Sequence, residues 1–426
     1  MKIKIQLAII SIYILAFSNV LLDLMSLREL LGSYILLGVD LIVLYIGLSG
    51  MHKSKFNLIF FIALILLGFA NFLSNDYSFI TFLNGMREIV LVVLLFSFYE
   101  SIRGIRSRVF MRKCMDRFIL IFLVTQLPVT IFQFIEYGAS DQVGGTLGNG
   151  NTGILTLLII PMVYSRIKKN LRIKGAKAYY NLIFLLPLFI NETKISFVLI
   201  PIMFFCLLRF RKIETVFMGI VLGIGLFSIM SYVYSDNGTS TRKSSGTAAT
   251  IFSENNLDKI LLSNVEEGED IPRFTKIYMA MNLLNKNTID FLIGEQIGAF
   301  KGGTTLSLSK FASQYNWMLL GSKPYIFFLL ISGGWLMLVL MIFFFINKLF
   351  MMKHRAKDMK LIVLLASLFI LILFYNDAFR NPLFCFIYIY FVMIAKELPI
   401  SPYFKRNFRS NNGLKPFSKR AQVRTL

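Results

Sequence analysis

Four cations stand out because each lies within or beside an apolar run of the sequence: Arg87, Lys194, Arg273 and Arg380. A charged side chain near the centre of a bilayer costs roughly 2.5–3.5 kcal/mol on insertion scales, so it should face a cavity or a partner. Arginine matches phosphate oxygens in pairs, whereas lysine acts as a point charge. Several such cations around a recessed, outward-facing cavity would suit a polyanionic ligand at membrane level, for example a lipid diphosphate.

Chain lengths predict how deep these cations lie. Arg87 stands about ten residues from the outer end of its run, or on the order of 15 Å at ~1.5 Å per residue. Lys194 and Arg380 each stand in a short polar tip between two apolar arms. The arms around Lys194 are 12 and 14 residues long, and those around Arg380 are 15 and 13 residues long. A full span needs about 17–25 residues, so both tips should be recessed below the outer surface. Arg273 opens a helix predicted from Asp270, where free backbone N–H groups favour an anion.

Candidates for proton transfer follow by elimination. Both histidines, His52 and His354, fall on the predicted inner side, so an outward acid or base must be a carboxylate, a tyrosine or the substrate itself. The outward candidates are Glu192, Asp270, Glu295, Tyr315 and Asp377. Glu192 and Asp377 stand in the same polar tips as Lys194 and Arg380.

The segment 144–151 is rich in glycine and asparagine and precedes a short span. Glycine allows close approach of the backbone to a ligand, and the amides of Asn149 and Asn151 offer hydrogen bonds of the kind that sugars accept. Tyr315 is the third candidate glycan contact. The sequence has no DxD pair, Walker A loop or CxxC motif, so we expect neither a metal nor a nucleotide cofactor.

Each candidate also has a purely structural interpretation. Arg87 could pair with Asp40, Glu136 or another intramembrane acid, and Lys194 could pair with Glu192 or reach lipid headgroups. Arg380 could anchor its helix at the interface, and Arg273 could be one solvated charge among many. The 144–151 segment could be a flexible loop that caps a helix.

Composition indicates the elements that position these residues. Hydrophobic residues make up 56% of the 426 residues and charged residues only 16%, which is typical of a membrane protein. Apolar runs occupy 5–22, 30–50, 56–73, 78–98, 118–137, 151–165, 179–190, 195–208, 215–234, 324–346, 361–375 and 383–395. The first run could also be read as a signal peptide, although a first span fits it equally well.

The gaps between the runs carry alternating charge. With the N-terminus inside, 32 of the 45 Lys and Arg residues fall in inner gaps, together with only 5 acids. Shifting the count by one span would scramble this alternation, so the positive-inside rule predicts that both termini are cytoplasmic. It also explains the net charge of +22 without nucleic-acid binding. None of the three cysteines falls in an outer gap, so no disulfide is expected.

The predicted fold is an all-α polytopic membrane protein with about twelve transmembrane helices and one large extracytoplasmic loop. It divides into a bundle of about nine spans at 1–234, the loop at 235–321, about three further spans at 322–398, and a basic cytoplasmic tail at 399–426.

This layout resembles the superfamily of O-antigen polymerases and ligases, which includes polymerases of capsule and exopolysaccharide. The resemblance covers most of the chain as an architecture, and its motifs are short. They are Asn84-Gly85-Met86-Arg87-Glu88, the glycine-rich entry 145–153, Glu192-Thr193-Lys194-Ile195-Ser196, Pro272-Arg273-Phe274, Leu292-Ile293-Gly294-Glu295 and Ser332-Gly333-Gly334. Ligases of the superfamily usually carry a histidine near the end of the large loop. In this chain residues 313–316 occupy that position, and none of them is a histidine. The departure favours the polymerase branch.

The resemblance implies a glycosyltransferase of the GT-C type in the bacterial cytoplasmic membrane. Such an enzyme joins oligosaccharide repeat units carried on undecaprenyl diphosphate at the outer face, without metal or nucleotide. Arg87, Lys194, Arg273 and Arg380 would hold the diphosphates. Membrane lipid and a protein that regulates chain length are the further partners implied.

A lipid-linked oligosaccharide flippase is the strongest rival, because it also has about twelve spans and a basic interior. A flippase should show two related halves, and neither half of this sequence mirrors the other. The 87-residue loop at 235–321 also has no evident use in a transporter that rocks between two faces.

Overall fold

The computed structural model describes residues 1–25, 27–75, 77–102, 104–138, 142–148, 150–191, 195–207, 273–300, 310–315, 318, 323–349 and 358–396. Within these ranges helix is the only regular secondary structure. The α-helices are α1 (Lys2–Leu24), α2 (Arg28–Met51), α3 (Lys55–Ser74), α4 (Phe79–Ser101), α5 (Ile105–Tyr137), α6 (Thr152–Lys174), α7 (Leu186–Ile190), α8 (Ser196–Leu207), α9 (Arg273–Leu284), α10 (Thr288–Ile293), α11 (Lys310–Tyr315), α12 (Tyr325–Leu349), α13 (Met359–Tyr375) and α14 (Pro382–Lys396). Three 3₁₀ segments cover Gly145–Leu147, Gly175–Leu185 and Ala378–Arg380.

Six of the described helices are long and apolar enough to cross a membrane, and four shorter apolar helices accompany them. Eleven of the twelve predicted runs coincide with a helical segment. The run 215–234, most of the loop 235–321 and the tail 399–426 lie outside the described residues. The all-α membrane architecture is therefore supported, and the count of twelve spans stays a prediction.

Two helices extend well beyond the apolar runs that predicted them. The run 118–137 lies within α5, which begins at Ile105, and the run 151–165 lies within α6, which continues to Lys174. The additional residues are rich in Arg and Lys, which are good helix formers. Hydropathy locates the part of a helix inside a membrane, so it misses a charged continuation of the same helix.

Contacts between helices agree with the predicted alternation. Tyr13 packs edge-on against Phe118, and Phe17 packs against Phe122, so α1 and α5 run parallel. The antiparallel neighbours α3 and α4 are joined by the Phe72–Phe79 contact at one end and by the Asn57–Glu100 hydrogen bond at the other. Odd-numbered and even-numbered spans among α1–α5 thus point in opposite directions.

The segment after α10 returns into the helix bundle. The Asn71 amide in α3 donates 2.8 Å hydrogen bonds to the carbonyls of Ile293 and Gly294, and its oxygen accepts one from the Ile297 N–H. Gly294 packs so tightly on a kink in α12 that an added Cβ would lie 2.5 Å from the nitrogen of Gly333. The glycines of two motifs from the sequence, Gly294 and Gly333, therefore allow the two backbones to pack closely.

The helix predicted from Asp270 is observed from Arg273. Lys276, Ile277, Ala280 and Leu284 are buried. Phe274 and Tyr278, which share the apolar side of the helix with Ile277, are exposed. Near a membrane both faces of a helix can be apolar, so periodicity alone does not identify the inner one.

Candidate functional site

The polar loop between α13 and α14 meets the middle of α4 rather than one of its ends. Its Arg380 side chain reaches Glu88, with Nε 2.8 Å from Oε2. Glu88 is nine residues from the N-terminal end of α4, or about 13 Å along the helix axis. The loop 376–381 is therefore recessed by roughly that distance relative to the end of α4.

Arg380 forms an ion-paired triad with two carboxylates. Its Nη2 donates to Glu88 Oε1 at 3.3 Å, which completes a bidentate pair, and its Nη1 donates to Asp377 Oδ2 at 2.6 Å. The side chains of Glu88, Arg380 and Asp377 are 7%, 14% and 29% exposed. Asp377 is thus the accessible member of the triad, while Glu88 holds the arginine from the buried side.

Local backbone structure orients Asp377. Asn376 accepts a hydrogen bond from the Ala378 N–H, and the Arg380 N–H donates to the Asp377 carbonyl, so the loop closes as one 3₁₀ turn. The side chains of residues 377 and 380 then lie on one side of that turn and meet.

Aromatic rings cover the guanidinium of Arg380. Its Cζ lies 4.6 Å from the ring centroid of Phe328 and 5.5 Å from that of Phe300. Phe300 belongs to the segment that returns into the bundle, and its ring contacts that of Phe311. The ring centroid of Phe311 in turn lies 5.0 Å from that of Tyr315. A chain of rings therefore links Tyr315, a predicted glycan contact, to the triad.

Arg273 approaches the same loop from α9. Its Nε donates to the Tyr375 carbonyl at 3.1 Å, and its guanidinium lies 4.0 Å from the centroid of the Tyr375 ring. Tyr375 ends α13 two residues before Asp377. Within the described ranges no carboxylate forms an ion pair with Arg273, so its positive charge is not neutralised there.

The first turns of α6 also lie beside the loop 376–381. A Cβ on Gly153 would lie 3.2 Å from the Asn376 amide nitrogen, so this glycine permits close contact with the loop. Asn191, which precedes the predicted hairpin tip, is buried and donates to Thr156 at 3.4 Å. Glu192 and Lys194 themselves lie outside the described residues, so their predicted roles stay predictions.

The glycine-rich segment is held deep against α5. Gln133 exchanges hydrogen bonds with the backbone of Gly145, and Gln126 exchanges them with Thr146. The Asn151 amide donates to the Leu147 carbonyl at 2.9 Å. Asn151 thus braces this segment in the structure, while Asn149 lies outside the described residues and its glycan contact stays a prediction.

Arg87 does not join the other cations. It pairs with Asp40 of α2 at 2.9 Å, which is the pairing that its structural interpretation anticipated. Adjacent residues on a helix point in different directions, so Arg87 faces α2 while Glu88 faces Arg380. The structure therefore brings Arg273 and Arg380 to one loop and places Arg87 on another side of α4.

Sequence reasoning missed two charged residues of this region. Glu88 entered the sequence analysis only as the last residue of the motif that contains Arg87, although a carboxylate inside an apolar span is itself a functional signal. Lys276 is fully buried one turn beyond Arg273, and its i,i+3 spacing from Arg273 could have identified it.

Two clefts lined by described residues lie at the opposite end of the bundle, and neither touches the loop 376–381. An outward chamber around the cations is therefore still a prediction. Among the described residues no group of three or more His, Cys, Asp or Glu side chains could hold a metal ion.

Comparison of the chain with protein-family models, with curated proteins and with solved structures finds no match in any of the three.

Proposed function

We propose that this protein is a membrane glycosyltransferase that joins lipid-diphosphate-linked oligosaccharide repeat units at the outer face of the bacterial cytoplasmic membrane. The observation that carries the proposal is the recessed loop 376–381. It combines an accessible carboxylate, Asp377, with the cations Arg380 and Arg273 at the depth where a lipid-borne diphosphate would lie.

The reaction needs only a base and a stabilised leaving group. A hydroxyl oxygen of the acceptor sugar attacks the anomeric carbon of the donor, and the bond from that carbon to the diphosphate oxygen breaks. The hydroxyl proton passes to a carboxylate, and the lipid diphosphate leaves with the bonding electron pair. Asp377 is the base in this scheme, with Glu192 as the alternative from the sequence.

The charges divide the roles among the arginines. Glu88, Arg380 and Asp377 together carry a formal charge of −1, so Arg380 attracts no anion unless a carboxylate is displaced. In this scheme Arg380 chiefly positions Asp377. Arg273, which no described acid neutralises, is the better diphosphate contact, with Lys194 as the further candidate from the sequence.

Replacing Arg273 with Ala is expected to reduce chain extension by about 10²-fold, since one charge-stabilising contact in a shielded site has roughly this effect. Arg273→Lys should recover only part of the loss, because lysine cannot form a paired contact with phosphate. Lys286→Ala removes an exposed cation from the same outer segment and should leave glycan length unchanged. Gel analysis of glycan length measures all three, and wild-type length in Arg273→Ala would remove this residue from the mechanism.

A cell that lacks this protein is expected to accumulate single lipid-linked repeat units that face outward. Extracted lipids report the number of repeats, and a membrane-impermeant sugar oxidant reports their side. Repeats that accumulate on the inner side would support a flippase instead. Polymer of normal length would contradict both functions.

A further inference from the structure

At the end of the bundle opposite the candidate site, α1 and α5 enclose a basic cleft of about 290 Å³. The parallel register of the two helices, with Tyr13 against Phe118 and Phe17 against Phe122, places Lys2 beside the first two turns of α5. The basic extension of α5 forms the other wall.

The lining residues separate into a cationic rim and an apolar floor. Lys2, Arg106 and Lys113 supply three positive charges and Ser107 supplies a hydroxyl, while Ile5, Val109 and Phe110 supply apolar surface. Residues 106, 109, 110 and 113 follow the i, i+3, i+4, i+7 spacing of one helix face. Among the described residues, no carboxylate lines the cleft.

The cations of this cleft differ from their neighbours in having no acidic partner. At the same end of the bundle Lys348 pairs with Glu100 at 2.7 Å, Lys169 pairs with Asp116 and Lys168 pairs with Asp358. Within the described ranges no carboxylate lies within ion-pair distance of Lys2, Arg106 or Lys113. Three exposed cations on one rim, with no described carboxylate beside them, make the cleft attractive to an anion from elsewhere.

We propose that this cleft binds the phosphate headgroup of an anionic phospholipid. The lining residue of α5 nearest to the apolar run at 118–137 is Lys113, about 7 Å from it along the helix axis, which is close to the depth of lipid phosphates. A rim of Lys and Arg with a hydroxyl suits a phosphate, and the apolar floor suits the glycerol and the first acyl carbons. The inference is independent of the proposed glycosyltransferase activity.

The test uses the full-length protein in zwitterionic micelles titrated with phosphatidylglycerol, and the midpoint of thermal unfolding is followed. The wild-type midpoint should rise with phosphatidylglycerol and not with phosphatidylcholine. The double variant Arg106→Gln/Lys113→Gln should need at least about tenfold more phosphatidylglycerol for the same rise, given roughly 1 kcal/mol per basic residue near a charged lipid surface. The control Lys55→Gln/Lys177→Gln removes two exposed cations outside the cleft and should titrate like wild type.

Each part of this test has a result that would contradict the proposal. Identical titrations of the two double variants would overturn the proposal, because the effect would then reflect overall charge. An equal rise with inorganic phosphate in phosphatidylcholine micelles would assign the cleft to free phosphate and overturn the lipid source. Each variant is compared with itself across lipid concentrations, so a lower starting stability does not obscure the outcome. Native mass spectrometry, which counts retained phosphatidylglycerol molecules, should show one fewer in Arg106→Gln/Lys113→Gln.

Discussion

Replacing Asp377 with Asn is expected to abolish glycan extension while the protein remains folded and inserted. An amide oxygen can still accept the hydrogen bond from Arg380 Nη1, so the triad should keep its shape. An amide cannot take the proton of the acceptor hydroxyl, and loss of a positioned base typically lowers the rate by about 10²–10⁴-fold. The readout is the rate of extension, together with the thermal midpoint in detergent.

The matched control for this variant is Asp290→Asn. Asp290 lies in the first turn of α10, in the outer segment and away from the loop 376–381. Extension at the wild-type rate is expected there. If Asp377→Asn also extends glycans normally, Asp377 is not the base, and Glu192 becomes the carboxylate to test.

Removal of Arg380 is expected to have the largest effect on stability. Arg380→Met removes the described ion-pair partner of the buried Glu88, and breaking a buried ion pair on one side costs about 3–5 kcal/mol. The double variant Glu88→Leu/Arg380→Met removes both buried charges and fills similar volume, so it should recover most of that loss in the free energy of unfolding.

A double-mutant cycle on the unfolding midpoint measures this coupling. With Glu88→Leu alone as the fourth member of the cycle, a loss in the double variant equal to the sum of the two single losses would show that the pair is not coupled. Both variants that lack Arg380 should lose extension, because Asp377 loses the group that orients it. Asp377→Asn therefore separates the chemistry from the stability of the loop.

Much of this architecture could be predicted from local sequence. Hydropathy located the apolar part of each described span, and the alternation of basic gaps agrees with the relative directions of the packed helices. The recess of the loop 376–381 followed from arm length, because apolar arms of 15 and 13 residues are shorter than the about 17–25 residues of a full span. These are properties of single segments measured against a membrane of known thickness.

The partners within the site could not be predicted in the same way. Glu88 and Arg380 are 292 residues apart in sequence, and periodicity within one helix contains no information on which helix it faces. The buried face of α9 could not be read from periodicity either, since Phe274 and Tyr278 are exposed while Ile277 is buried. The segment that carries Phe300 back to Arg380 depends on close packing of Gly294, Gly333 and Gly334, which composition alone does not reveal.

The most direct measurement uses the purified protein in lipid vesicles with lipid-diphosphate-linked repeat units, EDTA present and no nucleotide added. Wild-type protein should convert single repeats into a ladder of longer chains and release one lipid diphosphate per bond formed, whereas Asp377→Asn should leave single repeats. An active protein that merely moves repeats across the vesicle membrane without lengthening them would contradict the account, as would an undiminished ladder from Asp377→Asn.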